Sequence, residues 1–507
     1  MSRKLSVVHN TTLGYLGQAY TLLIGILIMP FYLGHLGAEV YGLIGFYTVM
    51  QSWLQLLDVG LSASLVRQIA HHQSQAEAGQ RSGGWLMRSF EIIFLPLTLL
   101  TLLAVYLGSP WIAAHWLNAQ ALATSTLIDC IVLMGAMVGL RLYATLYKSG
   151  LQGLEMHAWL NLANIIIATL RYFGGLFLVA FISQDALVFF EFQLGVAIIE
   201  TLIFATKAYA RLPAPSLWSG FNMALVRPII PFATSISLTS VLWIVLTQLD
   251  KMLLSEQLLL TEYGYFSLVA LMTNGILMLI NPLVQTLLPR MTVLKAEGRE
   301  HDMLQLYLGA SRFTCTFLFP LAAVMAVHSG DLLYAWSGDR AAANWGDPIL
   351  FWYALGAAIM AVSAFQYHLQ YAHGRIRLHV WYSLVSALIT VPVMALAIRY
   401  HGALGAAVAW FGLRLVSFAL WPQVVHRSLA PSIHRQWLGD ILRISAMTVL
   451  GLAISQPLYH LIAGNNRFSI VLALGISGLL TLVLVVASYK PMATRLLLLV
   501  SKPSVGR

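Results

Sequence analysis

This sequence is poor in charge. Only 9% of its 507 residues are Asp, Glu, Lys or Arg, against roughly a quarter in an ordinary soluble domain. With 59% hydrophobic residues and a mean hydropathy of +0.78, too few polar side chains remain to coat a water-soluble fold. A soluble enzyme, a nucleic-acid binder and a disordered chain are excluded. Cysteine is nearly absent: Cys130 and Cys315 both sit in apolar runs, so neither a disulfide framework nor a paired-Cys metal site is expected. Period-two alternation is also missing, which excludes a β-barrel. The fifteen histidines, among them His71-His72, His368, His373 and His379, show no zinc-ligand spacing. There is no phosphate-binding glycine loop with its Lys and no nucleophile elbow. Hence no metal, cofactor or built-in ATPase is expected. Energy must come from a gradient or from consumption of the product.

What is present is a succession of apolar runs. A bilayer core about 30 Å thick takes ~20 helical residues per crossing. That ruler places fourteen spans at roughly 11–33, 41–66, 89–109, 123–147, 162–182, 186–207, 228–250, 264–287, 313–334, 350–371, 380–398, 403–425, 443–462 and 469–489. The fold class is therefore an all-α polytopic membrane protein. The first run follows Arg3 and Lys4 but lacks a small-residue cleavage site, so it reads as a retained helix rather than a signal peptide. Basic residues set the orientation. Twenty-two lie in one set of loops and only Arg340, Arg399 and Arg467 in the alternate set. Both termini are expected in the cytoplasm. The net charge of +10 is thus read as loop bias and not as nucleic-acid binding.

Two segments repeat. Glu39-Val40-Tyr41-Gly42 precedes an apolar helix ending at Arg67, and Glu262-Tyr263-Gly264-Tyr265 precedes one ending at Arg290. Six spans separate them, so the halves share one orientation, the parallel-repeat layout of some secondary transporters. The expected organisation is two six-helix lobes around a central cavity: residues 1–210 (spans 1–6) and 211–430 (spans 7–12). Residues 431–507 add spans 13–14 and a cytoplasmic tail.

The stretch LGHLGAEVYGLIGFYTVMQSWLQLLDVGLSASLVRQIA (Leu33 to Ala70) carries L-G-x-x-x-Y-G-L and then L-D-x-G-L-x-x-S-x-x-R from Leu57 to Arg67. It resembles the N-terminal signature of polysaccharide (O-antigen type) flippases of the multidrug/oligosaccharidyl-lipid/polysaccharide exporter superfamily. QLDKMLLSEQLLLTEYGYFSLV (Gln248 to Val269) is similar to a second region of that family, and GALGAAVAW (Gly402 to Trp410) more weakly to a third. The resemblance implies a two-lobed transporter moving a polyprenyl-diphosphate-linked oligosaccharide by alternating access. It implies residence in a bacterial inner membrane among membrane lipids, possible coupling to H⁺ or Na⁺, and a polysaccharide polymerase as partner.

Charges inside spans are costly and point to function. Asp58, Glu91, Asp129, Arg141, Arg171, Glu191, Glu200 and Arg414 all fall there. Counted at 1.5 Å per residue, Arg171 and Arg414 each lie roughly 18 Å from the outer surface, one in each half. Arg141 lies near the inner mouth, about 27 Å down. These three are the candidate substrate-binding residues, since guanidinium offers a planar fork to phosphate oxygens. Each has a plainer reading too. Arg171 can pair with Glu200, which lies at a similar depth, and Arg141 can snorkel to the interface. Asp58, Asp129, Glu191 and Glu200 are the candidate ion-coupling groups, and Asp58 can equally cap a helix. Glu191 and Glu200, nine apart, face opposite ways on one helix. The prolines Pro30, Pro96, Pro282, Pro320 and Pro392 read as tolerated kinks or hinges.

Two other transport readings and one enzymatic reading compete. A cation-coupled multidrug exporter of the same superfamily favours an acidic cavity, which Arg171 and Arg414 oppose. A lipid II type flippase handles a related lipid. A glycosyl-transfer enzyme needs a large outer loop, and the longest, about Tyr334 to Asp347, is short.

Overall fold

The computed structural model describes residues 2–58, 60–73, 76–212, 221–227 and 230–488. Helix dominates them, because within hydrocarbon each backbone polar group must be satisfied inside its own segment. The only extended pairing among them is a single bridge, Asn118 with Leu259. Eleven stretches are long and apolar enough to cross a membrane.

The first unit in chain order contains α1 (Ser2–Leu54), α2 (Leu61–Gln73), α3 (Ala76–Trp111) and α4 (Thr124–Gly153). It continues with α5 (His157–Phe181), α6 (Ala186–Arg211) and α7 (Ile230–Gln257). There follow α8 (Leu260–Met278), α9 (Asn281–Ala296), α10 (Glu300–Val327), α11 (Ser329–Ser337) and α12 (Arg340–Ala372). The chain closes through α13 (Ile376–Leu429), α14 (His434–Ile462) and α15 (Arg467–Ala487). Among the described residues the fourteen expected spans fall on these helices, span 8 being divided between α8 and α9; residues 59, 228–229 and 489 of spans 2, 7 and 14 lie outside the described residues. Spans 1 and 2 share α1 and spans 11 and 12 share α13, because each long helix turns at a glycine of positive φ: Gly37 at 81° and Gly402 at 56°. An L side chain is disfavoured in that backbone conformation. Span 2 breaks again at the 3-10 stretch Gln55–Asp58 before α2. Span 9 ends at Val327, and part of the expected outer loop is the short helix α11.

Caps fix several helix starts. Asp185 accepts from the Leu187 amide (2.7 Å), Asp339 from that of Ala341 (2.8 Å), and Asn466 from that of Phe468 (3.2 Å).

The chain packs as two compact units, Met1–Gly264 and Tyr265–Arg507. Helix α7 belongs to the first, where it packs on α1 and α2. The core of the first unit lies where α2, α3, α4 and α6 meet, with Leu65, Phe90, Phe94, Leu146 and Phe204 fully buried. In the second, Tyr459 and Ala473 help close a core between α10, α11, α14 and α15.

The repeat has a structural counterpart. A Cβ on Gly42 would stand 2.2 Å from the Leu260 carbonyl oxygen, and one on Gly264 would stand 2.2 Å from that of Ala38. Ala38 is to Gly42 as Leu260 is to Gly264, so the contact is reciprocal, as across a pseudo-dyad. The neighbouring Tyr41 and Tyr263 are both buried.

Candidate functional site

Arg171 sits on a π turn, Leu170–Gly174, that interrupts α5. Such a turn inserts an extra residue, re-aims side chains and frees carbonyls. Here the Arg171 and Tyr172 carbonyls accept from the buried Tyr32 hydroxyl at 3.2 and 2.8 Å. The Arg171 guanidinium donates to Glu200 on α6. Glu200 also accepts from Lys148 Nζ on α4 at 2.6 Å. The carboxylate side chain is 6% exposed, but Arg171 and Lys148 remain 22% and 30% exposed. The acid is closed in, and both cations keep an open face.

Arg141 stands on α4 seven residues before Lys148, two helical turns away on the same face. It donates to Gln51 and lies over the Tyr47 ring, 5.2 Å from its centroid. It interacts electrostatically with Arg171, Lys148 and Glu200. Lys148 and Arg171 therefore share one carboxylate inside the first unit, and Arg141 stands within electrostatic range of it. Two buried polar atoms beside them, Arg141 Nε and the Tyr47 hydroxyl, meet no hydrogen-bond partner among the described residues.

Two of the expected binding residues, Arg141 and Arg171, come together here with Glu200. Lys148, Gln51 and Tyr47 complete the cluster, and sequence reasoning missed them. Lys148, one of the twenty-two basic residues that the sequence assigns to loops, lies inside α4. Its spacing of seven from Arg141 was the available signal.

Arg414 belongs to the second unit, on the later leg of α13. Its guanidinium carbon lies 5.4 Å from the centre of the Trp410 ring. It lines a cavity of about 220 Å³ between the two legs of that helix. Asp58 accepts from the Ser62 amide (3.1 Å) and hydroxyl (2.6 Å), bracing the start of α2. Asp129 and Glu191 are exposed and stand apart from the Glu200 ion pairs. Glu91, the other buried acid of this region, accepts from Arg88 (2.5 Å), Tyr147 (2.7 Å) and Tyr209. It ties α3, α4 and α6 together. His368 is buried in α12.

A bundle of this many apolar helices defines an integral multi-pass membrane protein. The chain belongs to the polysaccharide biosynthesis protein family, whose model matches residues 7–295. Its fold is similar to that of the lipid II flippase MurJ in an inward closed conformation. That likeness has a TM-score of 0.74 and 14% identity, over 96% of this chain and 100% of the other. A multidrug resistance MATE family transporter of the MOP superfamily, inward-facing, matches with a TM-score of 0.64 and 13% identity, over 85% of this chain and 95% of that one. A mutant of the Vibrio cholerae MATE transporter VcmN matches with a TM-score of 0.58 and 15% identity, over 84% and 99%. Among curated proteins, none matches the sequence.

Proposed function

We propose that this protein is a flippase. It carries a polyprenyl-diphosphate-linked oligosaccharide from the cytoplasmic to the periplasmic leaflet of a bacterial inner membrane, by alternating access, for surface polysaccharide assembly. The observation that carries this reading is the charge of the first unit: Arg141, Lys148 and Arg171 around the single carboxylate of Glu200. A diphosphate drawn through hydrocarbon alone would be prohibitively costly, and charge-assisted bonds from these groups offset that cost. Glu200 holds two of the cations in place while the site is empty, and the diphosphate competes with it for them. Arg414, in the second unit, is a further candidate for phosphate contact. An apolar cavity of about 700 Å³ in that unit, walled by Phe313, Phe317, Leu321, Leu474 and Leu479, suits an isoprenoid chain.

Glu200 is also a candidate for ion coupling, with Asp58, Asp129 and Glu191. A multidrug exporter of cationic compounds is disfavoured by the positive cluster. A lipid II type substrate shares the diphosphate chemistry and is kept as the second reading, because the similarity to MurJ spans the whole of that chain.

The test is polysaccharide display by a deletion strain carrying Arg171→Gln, Arg414→Gln or both, at matched membrane levels. Each single change is expected to weaken substrate binding roughly ten-fold, the loss of one charge-assisted contact. Lys at either position should rescue in part, keeping the charge but losing the fork. Full display by the double variant would refute the assignment.

A further inference from the structure

We propose that Arg141 and Tyr47 form a second phosphate subsite beside the one at Lys148 and Arg171, and that this pair selects a diphosphate over a monophosphate. The inference rests on the export reading above and deepens it, assigning the two phosphates of the lipid diphosphate to different residues.

Donors outnumber acceptors in this cluster. Arginine and lysine side chains offer only N–H groups. The carboxylate of Glu200 is taken by Lys148 on one oxygen and by Arg171 on the other. The side-chain oxygen of Gln51 is taken by Arg141 Nη1. Two donors are left over: Arg141 Nε and the Tyr47 hydroxyl are both buried and meet no hydrogen-bond partner among the described residues. They belong to one place. The Arg141 guanidinium lies over the Tyr47 ring, 5.2 Å from its centroid. Tyr47, itself 8% exposed, interacts electrostatically with Arg141, Arg171 and Glu200.

A buried donor without an acceptor is costly, and hydrocarbon supplies no acceptor. A group that satisfies both leftover donors needs several free lone pairs. It also needs negative charge, because three cations stand around one carboxylate here. A phosphate meets both conditions. It receives the planar fork of the guanidinium and accepts the phenolic proton besides. It is a stronger acceptor than the neutral Gln51 amide, since bonds to an ionised partner are roughly twice as strong. Gln51 follows Tyr47 by one turn on the later leg of α1. It therefore holds Arg141 ready, as Glu200 holds Lys148 and Arg171, and yields to the anion. A monophosphate would settle at Lys148 and Arg171, which keep open faces of 30% and 22%. Only a diphosphate puts a second phosphate on Arg141 and Tyr47 at the same time.

The experiment titrates the full chain in detergent with inorganic pyrophosphate and with inorganic orthophosphate, followed by calorimetry. The parent should bind pyrophosphate more tightly. Tyr47→Phe keeps the ring and removes only the hydroxyl. It is expected to weaken pyrophosphate about ten-fold, the loss of one charge-assisted bond, and to leave orthophosphate unchanged. Without ligand the variant should melt no lower than the parent, because an unpaired buried hydroxyl does not stabilise the fold. Gln51→Glu, which sets a competing carboxylate on Arg141, should bring the two affinities together. A polyprenyl diphosphate should displace pyrophosphate, with the same dependence on Tyr47. Unchanged pyrophosphate binding in Tyr47→Phe would overturn the subsite, as would an equal loss for both anions. A lower melting temperature for that variant would overturn it too, by showing that the hydroxyl serves the fold. A polyprenyl diphosphate that leaves pyrophosphate in place would overturn the lipid as occupant in favour of a free anion. A parent that binds both anions equally overturns the second subsite alone; one that binds neither overturns the export reading as well.

Discussion

Glu200 is the residue on which the first unit turns, because it is the one carboxylate facing Lys148 and Arg171 and it is itself buried. Glu200→Gln leaves both cations without their partner. Breaking a buried pair costs about 3–5 kcal/mol; the open faces of the two cations reduce this, so a loss of about 2 kcal/mol is expected, seen as a lower melting temperature in detergent. Inorganic pyrophosphate should restore more stability to the variant than to the parent, since its competitor is gone. Equal effects on both proteins would show that the cations do not receive phosphate. A second residue sets an acid limit. His328, between α10 and α11, is 6% exposed and stacks on Tyr459 at 3.6 Å. Burial pushes its imidazole below the usual histidine range, against the opposing pull of Asp331. A depressed folded value means the neutral ring is favoured in the fold. Stability is therefore full above about pH 6.5 and falls as the pH drops through the folded value. Melting followed from neutral to acid pH should show this loss, and His328→Phe should flatten it. Of the charged site, Arg141, Arg171 and the pairing with Glu200 were legible from depth alone. Lys148 was not, since a lysine near a helix end reads equally as loop bias, and only the fold shows it reaching back to Glu200.

At the scale of elements, apolar run length placed the spans in helical segments, because hydrocarbon leaves the backbone few alternatives, though spans 2, 8 and 9 are each divided. The breaks were less legible. A π turn at Leu170–Gly174 and a 3-10 stretch at Gln55–Asp58 have no composition signal, for both depend on what packs beside them. The repeat was visible as two Tyr-Gly pairs, and the structure supplies the reason glycine is needed: each glycine's missing Cβ makes room for a backbone carbonyl of the other segment. A backbone atom cannot swing aside as a side chain does. Gly42→Ala and Gly264→Ala are each expected to cost about 1–3 kcal/mol through overpacking. Gly34→Ala, with no neighbouring atom within 4 Å, serves as the control and should cost far less. Because the two contacts share one interface, the double change should cost less than the sum of the singles, as coupled sites do. Additive losses in thermal unfolding, or no loss at all, would mean that the two segments do not meet as the reciprocal contact requires.

At the scale of the whole molecule, the sequence carries information about the membrane that coordinates alone do not hold. Length and apolarity say that helices cross; the distribution of Lys and Arg predicts which way. Twenty-two basic residues fall on one set of connections and three on the other, and the bias acts through retention of positive charge on the cytoplasmic side. The structure refines that count, because several of the twenty-two are engaged within helices, as Lys148 is with Glu200 and Arg312 with Asp440 at 2.7 Å. Removing those from the tally still leaves a large excess on one side. The turns at Gly37 and Gly402 matter here, since each converts one long helix into two crossings and so preserves the alternation on which the orientation depends. Reporter fusions after Ala76 and Lys295 should therefore read as cytoplasmic, and a fusion after Ala342, near the start of α12, as periplasmic. If α1 or α13 crossed only once, every connection beyond it would invert. A fusion after Lys295 that reads periplasmic while one after Ala76 reads cytoplasmic would locate the error between α3 and α9. A reversal of Ala342 alone would locate it at α10 and α11, where the chain leaves its span at Val327.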